Sequence, residues 1–123
     1  MTIDINRPLF ILLMMLLSPL LIAASHHPED FLQQIQGQPD EGPQIVAHFC
    51  SNCHAVKPLI NIGAPRIGDD GDWELRMAQG LKVLFQHTSE GYHAMPPRGG
   101  CFECSDEQLN KAIRVMLPQR KLR

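Results

Sequence analysis

The chain has few aromatic residues, no concentration of positive charge and no stretch patterned as a β-strand. Aromatic residues make up 6% of its 123 positions, with a single Trp and a single Tyr. Eleven Lys and Arg stand against thirteen Asp and Glu, for a formal charge of −2. No basic stripe interleaved with aromatics occurs, which excludes a nucleic-acid-binding surface. No segment alternates apolar and polar residues over strand length, and no hairpin signal occurs, so a sheet-based domain is excluded. There is no internal repeat and no low-complexity block. A chain of this length has room for one domain.

The first long feature is an apolar run from Pro8 to Ala24, broken by Ser18 and Pro19. Arg7 precedes it, partly offset by Asp4, and the small residues Ala23, Ala24 and Ser25 follow. A charged start, an apolar centre and a small-residue end form the pattern of a secretory signal peptide. Residues 1–25 are therefore read as a signal peptide and the protein as exported, with a periplasmic destination. The alternative is an uncleaved membrane anchor, which would bring membrane association. A spanning helix wants about 20 apolar residues, and this run is slightly short and carries a proline. Cleavage after Ser25 leaves 98 residues (123 − 25) and the same charge, because Asp4 and Arg7 cancel.

Residues 26–41 are polar and carry His26, His27, Pro28 and Pro39, which reads as a linker. The compact domain is expected over 42–118, with a basic tail over 119–123 that includes Arg120, Lys121 and Arg123. Pro43 suits a first helical position, and Ile45, Val46 and Phe49 give a short helix an apolar face leading into Cys50. Residues 56–68 read as loop. Asp69 can cap a helix through the N–H of Asp72; Trp73, Leu75 and Met77 follow, and Gly80 ends it. Leu81, Leu84 and Phe85 mark a further helix before Gly91, and residues 91–104 read as loop. Ser105 and Gln108 form a capping-box pattern. Leu109, Ala112, Ile113 and Met116 then recur at helical spacing, and Pro118 ends the run. The expected class is all-α: several short helices joined by long loops. So much loop needs something central to pack on.

The chemistry concentrates in Cys50-Ser51-Asn52-Cys53-His54. Two thiols three positions apart can add to the two vinyl groups of one haem edge, and the adjacent His54 then lies where its imidazole can bind iron. C-x-x-C-H is the attachment signal of c-type haem, and an export leader suits it. Other uses of these cysteines compete. A redox dithiol expects a βαβ setting, which is not visible. Zinc could be held by two C-x-x-C pairs, Cys50/Cys53 and Cys101/Cys104, although the pairs lie far apart in sequence. A plain structural disulfide is the third alternative.

From residue 42 to 117 the chain resembles the cytochrome c5 type within the class I c-type cytochromes. The stretches that carry the likeness are Cys50-Ser51-Asn52-Cys53-His54-Ala55, Gly63-Ala64-Pro65-Arg66-Ile67-Gly68-Asp69, Trp73, Gln86-His87, Gly91, Ala94-Met95-Pro96-Pro97-Arg98-Gly99-Gly100-Cys101 and Cys104-Ser105-Asp106-Glu107. The resemblance implies one covalent haem c, with iron held by His54 and Met95. The residues agree. Met77 and Met116 have helical spacing among apolar neighbours, whereas Met95 lies in a loop held by Pro96 and Pro97, at a separation of 41 residues (95 − 54) from His54. His93 is the competing ligand. By analogy, the Pro65 carbonyl accepts the second ring N–H of His54, and Arg66 and Trp73 lie near the haem propionates. Cys101 and Cys104 lack a following histidine. In an oxidising compartment they should pair, as the resemblance also implies. Val46 and Val115 stand where the family often has aromatics, so a close helix approach is expected beside Gly42.

The resulting expectation is an electron carrier and not an enzyme, serving redox partner proteins of a respiratory chain. Tyr92, Ala94, Pro96 and Pro97 would form an apolar docking patch, with Lys57 and Arg98 at its rim. The alternative from another class is a haem-based sensor or a peroxidase-like enzyme with a labile sixth ligand. A zinc-stabilised module is a third.

Overall fold

The computed structural model describes residues 27–119. The signal-peptide reading, His26 and the tail residues 120–123 lie outside the described residues. Among the described residues there is no strand, only an isolated bridge between Tyr92 and Met95. No described helix is long and apolar enough to cross a membrane.

The segment read as a linker holds a helix, α1 (Pro28–Ile35). Pro28 opens it, where a missing N–H costs nothing, and Glu29 and Asp30 suit the positive end of its dipole. Leu32 and Ile35, three positions apart, turn inward and are only 4% and 5% exposed. Burial of each contributes about 1.5–3 kcal/mol before ordering costs. The Gln108 side chain donates to the Leu32 carbonyl at 3.3 Å, and Gly37 N–H donates to the Glu41 carboxylate at 3.0 Å. The globular unit thus includes α1, because two buried apolar residues and these polar ties outweigh a polar composition.

The next helical run has three parts: α2 (Glu41–Ile45), a π-helical turn (Val46–Cys50) and α3 (Ser51–His54). The run begins at Glu41, so Pro43 is two residues inside its first turn, where no backbone donor is needed. Ile45 and Val46 are buried in the core. The extra residue of a π turn rotates the helical face presented by later residues, and here those residues are Cys50, Cys53 and His54. Helices α4 (Asp70–Met77) and α5 (Leu81–Glu90) meet at Gly80. Asp69 caps α4, accepting from Asp72 N–H at 3.0 Å.

The last helix, α6 (Asp106–Met116), has both halves of its capping box: Gln108 N–H donates to Ser105 Oγ at 3.2 Å, and Ser105 N–H donates to Gln108 Oε1 at 2.9 Å. Its Leu109, Ala112, Ile113 and Met116 stripe is fully buried. α6 packs chiefly on α2. A Cβ on Gly42 would lie 2.9 Å from Val115 Cγ2 and 3.1 Å from the Lys111 carbonyl oxygen. That is the close approach the two valines imply. Beside it, Lys111 Nζ bridges the buried Glu41 and the exposed Glu107, each at 2.8 Å.

Candidate functional site

The helices leave a large cavity of about 580 Å³, within the range of cofactor sites. Cys50, Cys53, His54, Pro65, Trp73 and Met95 all line it. His54, at the end of α3, is 7% exposed. Its Nδ1–H donates to the Pro65 carbonyl at 2.7 Å, which fixes the ring and leaves the Nε2 lone pair for a ligand. Ile67 N–H donates to the His54 carbonyl at 2.8 Å, so the loop after the motif is tied back to it. Trp73 lies nearly parallel to the imidazole, with centroids 6.5 Å apart and planes 19° apart.

Cys50 and Cys53 are not joined to one another. Burial, aided by the neighbouring Cys53, pushes the Cys50 thiol up to about 11, so it is held as a neutral thiol. Cys101 and Cys104 form a disulfide with each other. They are therefore unavailable to complete a four-cysteine zinc site, and no cluster of three or more metal-ligating side chains exists among the described residues.

Met95 ends a tight turn in which Tyr92 and Met95 exchange backbone hydrogen bonds of 3.0 and 2.9 Å. Two glycines clear the space around it. A Cβ on Gly91 would meet the Met95 carbonyl oxygen at 3.0 Å, and one on Gly99 would meet Met95 Cε at 3.3 Å. His93 occupies the left-handed region of this turn (φ 53°) and lines the same cavity. His87 also lines it. It stacks on Tyr92 at 4.0 Å, while His93 meets the Tyr92 ring edge-on at 4.2 Å. The sequence reading gave His87 no place at the site. Its signal was position: a histidine one turn from the end of α5, facing the Met95 loop.

Arg66 adjoins the main cavity, lining a smaller pocket that shares Pro65 with it. Its carbonyl accepts from Trp73 Nε1 at 2.8 Å. Its guanidinium grips Asp72 at 2.7 Å and Asp69 at 2.9 Å, and holds the Asp72 carboxyl down at about 2. Arg98 departs from its expected place at a docking rim. Its side chain is only 23% exposed and donates to the Cys104 carbonyl at 2.5 Å and to Asp106 at 3.0 Å. A guanidinium with two acceptors at hand folds inward instead of extending into water. Ile60 and Ile62, exposed members of the loop after the motif, also line the cavity.

An apolar slot with two thiols, a fixed imidazole with a free nitrogen and a thioether in a cleared space suits one flat macrocycle holding iron. A family model described as "Cytochrome C oxidase, cbb3-type, subunit III" matches residues 37–114. Cytochrome c5 of Azotobacter vinelandii is 40% identical over 77 residues, which cover 61% of this chain and 89% of that protein. Cytochrome c5 of Ectopseudomonas mendocina is also 40% identical, covering 58% and 82%. Cytochrome c-555 of Chlorobaculum tepidum is 34% identical, covering 58% and 68%. Among solved structures, a chain from an electron-transfer complex of nitrite reductase with cytochrome c is similar, with TM-score 0.55 and 34% identity, covering 62% of this chain and 89% of that one. The chain belongs to the class I c-type cytochromes and is cytochrome c5-like. It is a monohaem electron-transfer protein, and its prosthetic group is covalent haem c.

Proposed function

We propose that this chain carries single electrons outside the cytoplasm, in the periplasm, between redox proteins of a respiratory chain, without being an enzyme itself. Cys50 and Cys53 would hold the haem through thioethers, and His54 and Met95 would bind its iron. When bound, the haem supplies a one-electron ferrous/ferric couple. Each thiol would add across one vinyl group, sulfur to one carbon and hydrogen to the other, so attachment would involve no net oxidation. It needs reduced cysteines, and Cys50 and Cys53 are both free thiols.

The observation that carries the reading is the 2.7 Å bond from His54 Nδ1–H to the Pro65 carbonyl, on the same cavity as Met95 and both thiols. The acceptor raises the basicity of the imidazole and fixes its orientation. The thioether of Met95 favours the reduced state relative to a second imidazole, and the apolar wall excludes water. With His54 and Met95 both on the iron, no open site would be left for substrate, which suits a carrier. Trp73 lines the cavity and Arg66 the pocket beside it, and this is the side on which the propionates would lie. The related cytochrome c in complex with nitrite reductase supports a redox protein as partner. Contact is expected near Tyr92, 49% exposed, with the exposed Lys57 at the rim. Small interfaces suit such brief encounters.

The test is a pair of substitutions. Met95→Ala should abolish the weak near-infrared band of ferric sulfur–iron ligation and lower the potential. His93→Ala should leave both nearly unchanged. The reverse pattern would assign the iron to His93.

A further inference from the structure

Arg98 combines two features that usually exclude each other. Its backbone lies in the left-handed region, φ 58° and ψ 17°, where glycine is the ordinary occupant and a long side chain carries strain. Glycine follows at both 99 and 100, so the chain has the freedom to turn here without placing an arginine. The side chain nevertheless folds in and makes two charge-assisted bonds, to the Cys104 carbonyl at 2.5 Å and Asp106 Oδ1 at 3.0 Å.

The tie joins the Met95 loop to the start of α6. Gly99 N–H donates to the Pro96 carbonyl at 3.0 Å, and Cys101 N–H donates to the Arg98 carbonyl at 3.1 Å. Gly99 in turn sits against Met95 Cε. Arg98 therefore lies between the methionine and the disulfide in the chain, and its guanidinium reaches across the Cys101–Cys104 turn. The disulfide fixes four residues to one another. The arginine fixes the Met95 loop to that rigid piece and to Asp106, the first residue of a capped helix.

We propose that Arg98 is a positioning residue for the Met95 thioether: its tie to Cys104 and Asp106 keeps the loop closed so that sulfur stays within reach of iron. This rests on the reading of Met95 as an axial ligand. The bond to the Cys104 carbonyl carries most of the effect, because Asp106 is largely exposed and its attraction is weakened by water. The consequence concerns the fraction of time the loop is open. A small added ligand must wait for Met95 to leave, so its apparent affinity is its intrinsic affinity multiplied by that fraction.

The experiment uses the haem-loaded protein and imidazole as the probe. Arg98→Gly removes the tie without adding backbone strain, because glycine accepts the left-handed conformation at this position. Ferric Arg98→Gly should bind imidazole about tenfold more tightly than the native protein, the factor expected for losing one charge-assisted bond. Its near-infrared sulfur–iron band should disappear on heating below the temperature at which the helices melt. Arg98→Lys, which keeps a donor, should recover part of the difference, and Asp106→Asn should shift it less than Arg98→Gly. Imidazole affinity within twofold of native in Arg98→Gly would overturn the proposal, as would a band lost only together with helical structure. A native protein without the band would overturn the Met95 assignment and the proposal with it.

Discussion

Alanine at position 42 gives the sharpest test of the packing, because two effects oppose each other there. Gly42 is the second residue of α2, and alanine generally stabilises a helix over glycine by up to about 1 kcal/mol. Here the added Cβ would lie 2.9 Å from Val115 Cγ2 and 3.1 Å from the Lys111 carbonyl oxygen. The valine is β-branched and stiff, and the carbonyl is backbone, so α2 and α6 must move apart. Overpacking of this kind costs about 1–3 kcal/mol. The net expectation is a loss of about 1–2 kcal/mol, or a fall in Tm of roughly 5–15 °C for a domain of this size. Far-UV circular dichroism of the haem-loaded protein during heating measures it. In a Val115→Ala background the same change should cost less, since one of the two contacts is gone, though the carbonyl contact remains. A Gly42→Ala protein as stable as the native one, or more so, would refute the close-approach argument.

Glu41 should make stability pH-dependent. The Lys111 ammonium, with help from Gly37 N–H, holds its carboxyl below the usual carboxylate range despite the opposing effect of burial. A lowered folded value means that the stabilisation is present above the unfolded value of about 4.3 and is lost as pH falls through the folded one. Glu41→Gln should therefore lower stability at pH 7 and flatten its decline below about pH 4.3, as read in denaturant titrations; parallel curves for the two proteins would refute this. Replacing Cys101 and Cys104 by serine should cost about 2 kcal/mol, the entropy of so short a loop, while haem content stays at one per chain; loss of haem would show a wider role. Lys57→Glu should change the low-salt electron-transfer rate with an acidic redox partner several-fold, and the effect should shrink at high salt as rim charges become screened. An unchanged low-salt rate removes Lys57 from the docking face.

The helices easiest to read in the sequence were those whose signals are local. Asp69 with Asp72, and Ser105 with Gln108, satisfy their own backbone donors within four residues, so α4 and α6 declare their starts wherever they occur. The buried stripe of α6 likewise comes from spacing alone. Helix α1 was hidden, because its two core residues sit in a polar run and its anchor, Gln108, is 76 positions away. The same logic divides the site. Cys50, Cys53 and His54 are contiguous, and resemblance supplied Pro65 and Met95. The inward turn of Arg98 could not be read. It needs a left-handed backbone at a non-glycine residue, and acceptors that exist only once α6 has docked. The placement of His87 against Tyr92 similarly depends on how the Met95 loop returns over α5.

The most direct test of the central claim is the mass of the Cys50–His54 peptide from protein recovered from its native compartment. After extraction with acidified acetone, the haem should remain on the protein, at one per chain, and proteolysis should yield a peptide containing Cys50, Cys53 and His54 that carries the full haem mass. Haem that extracts freely, or a peptide in which both cysteines are found as alkylated thiols, would contradict the account.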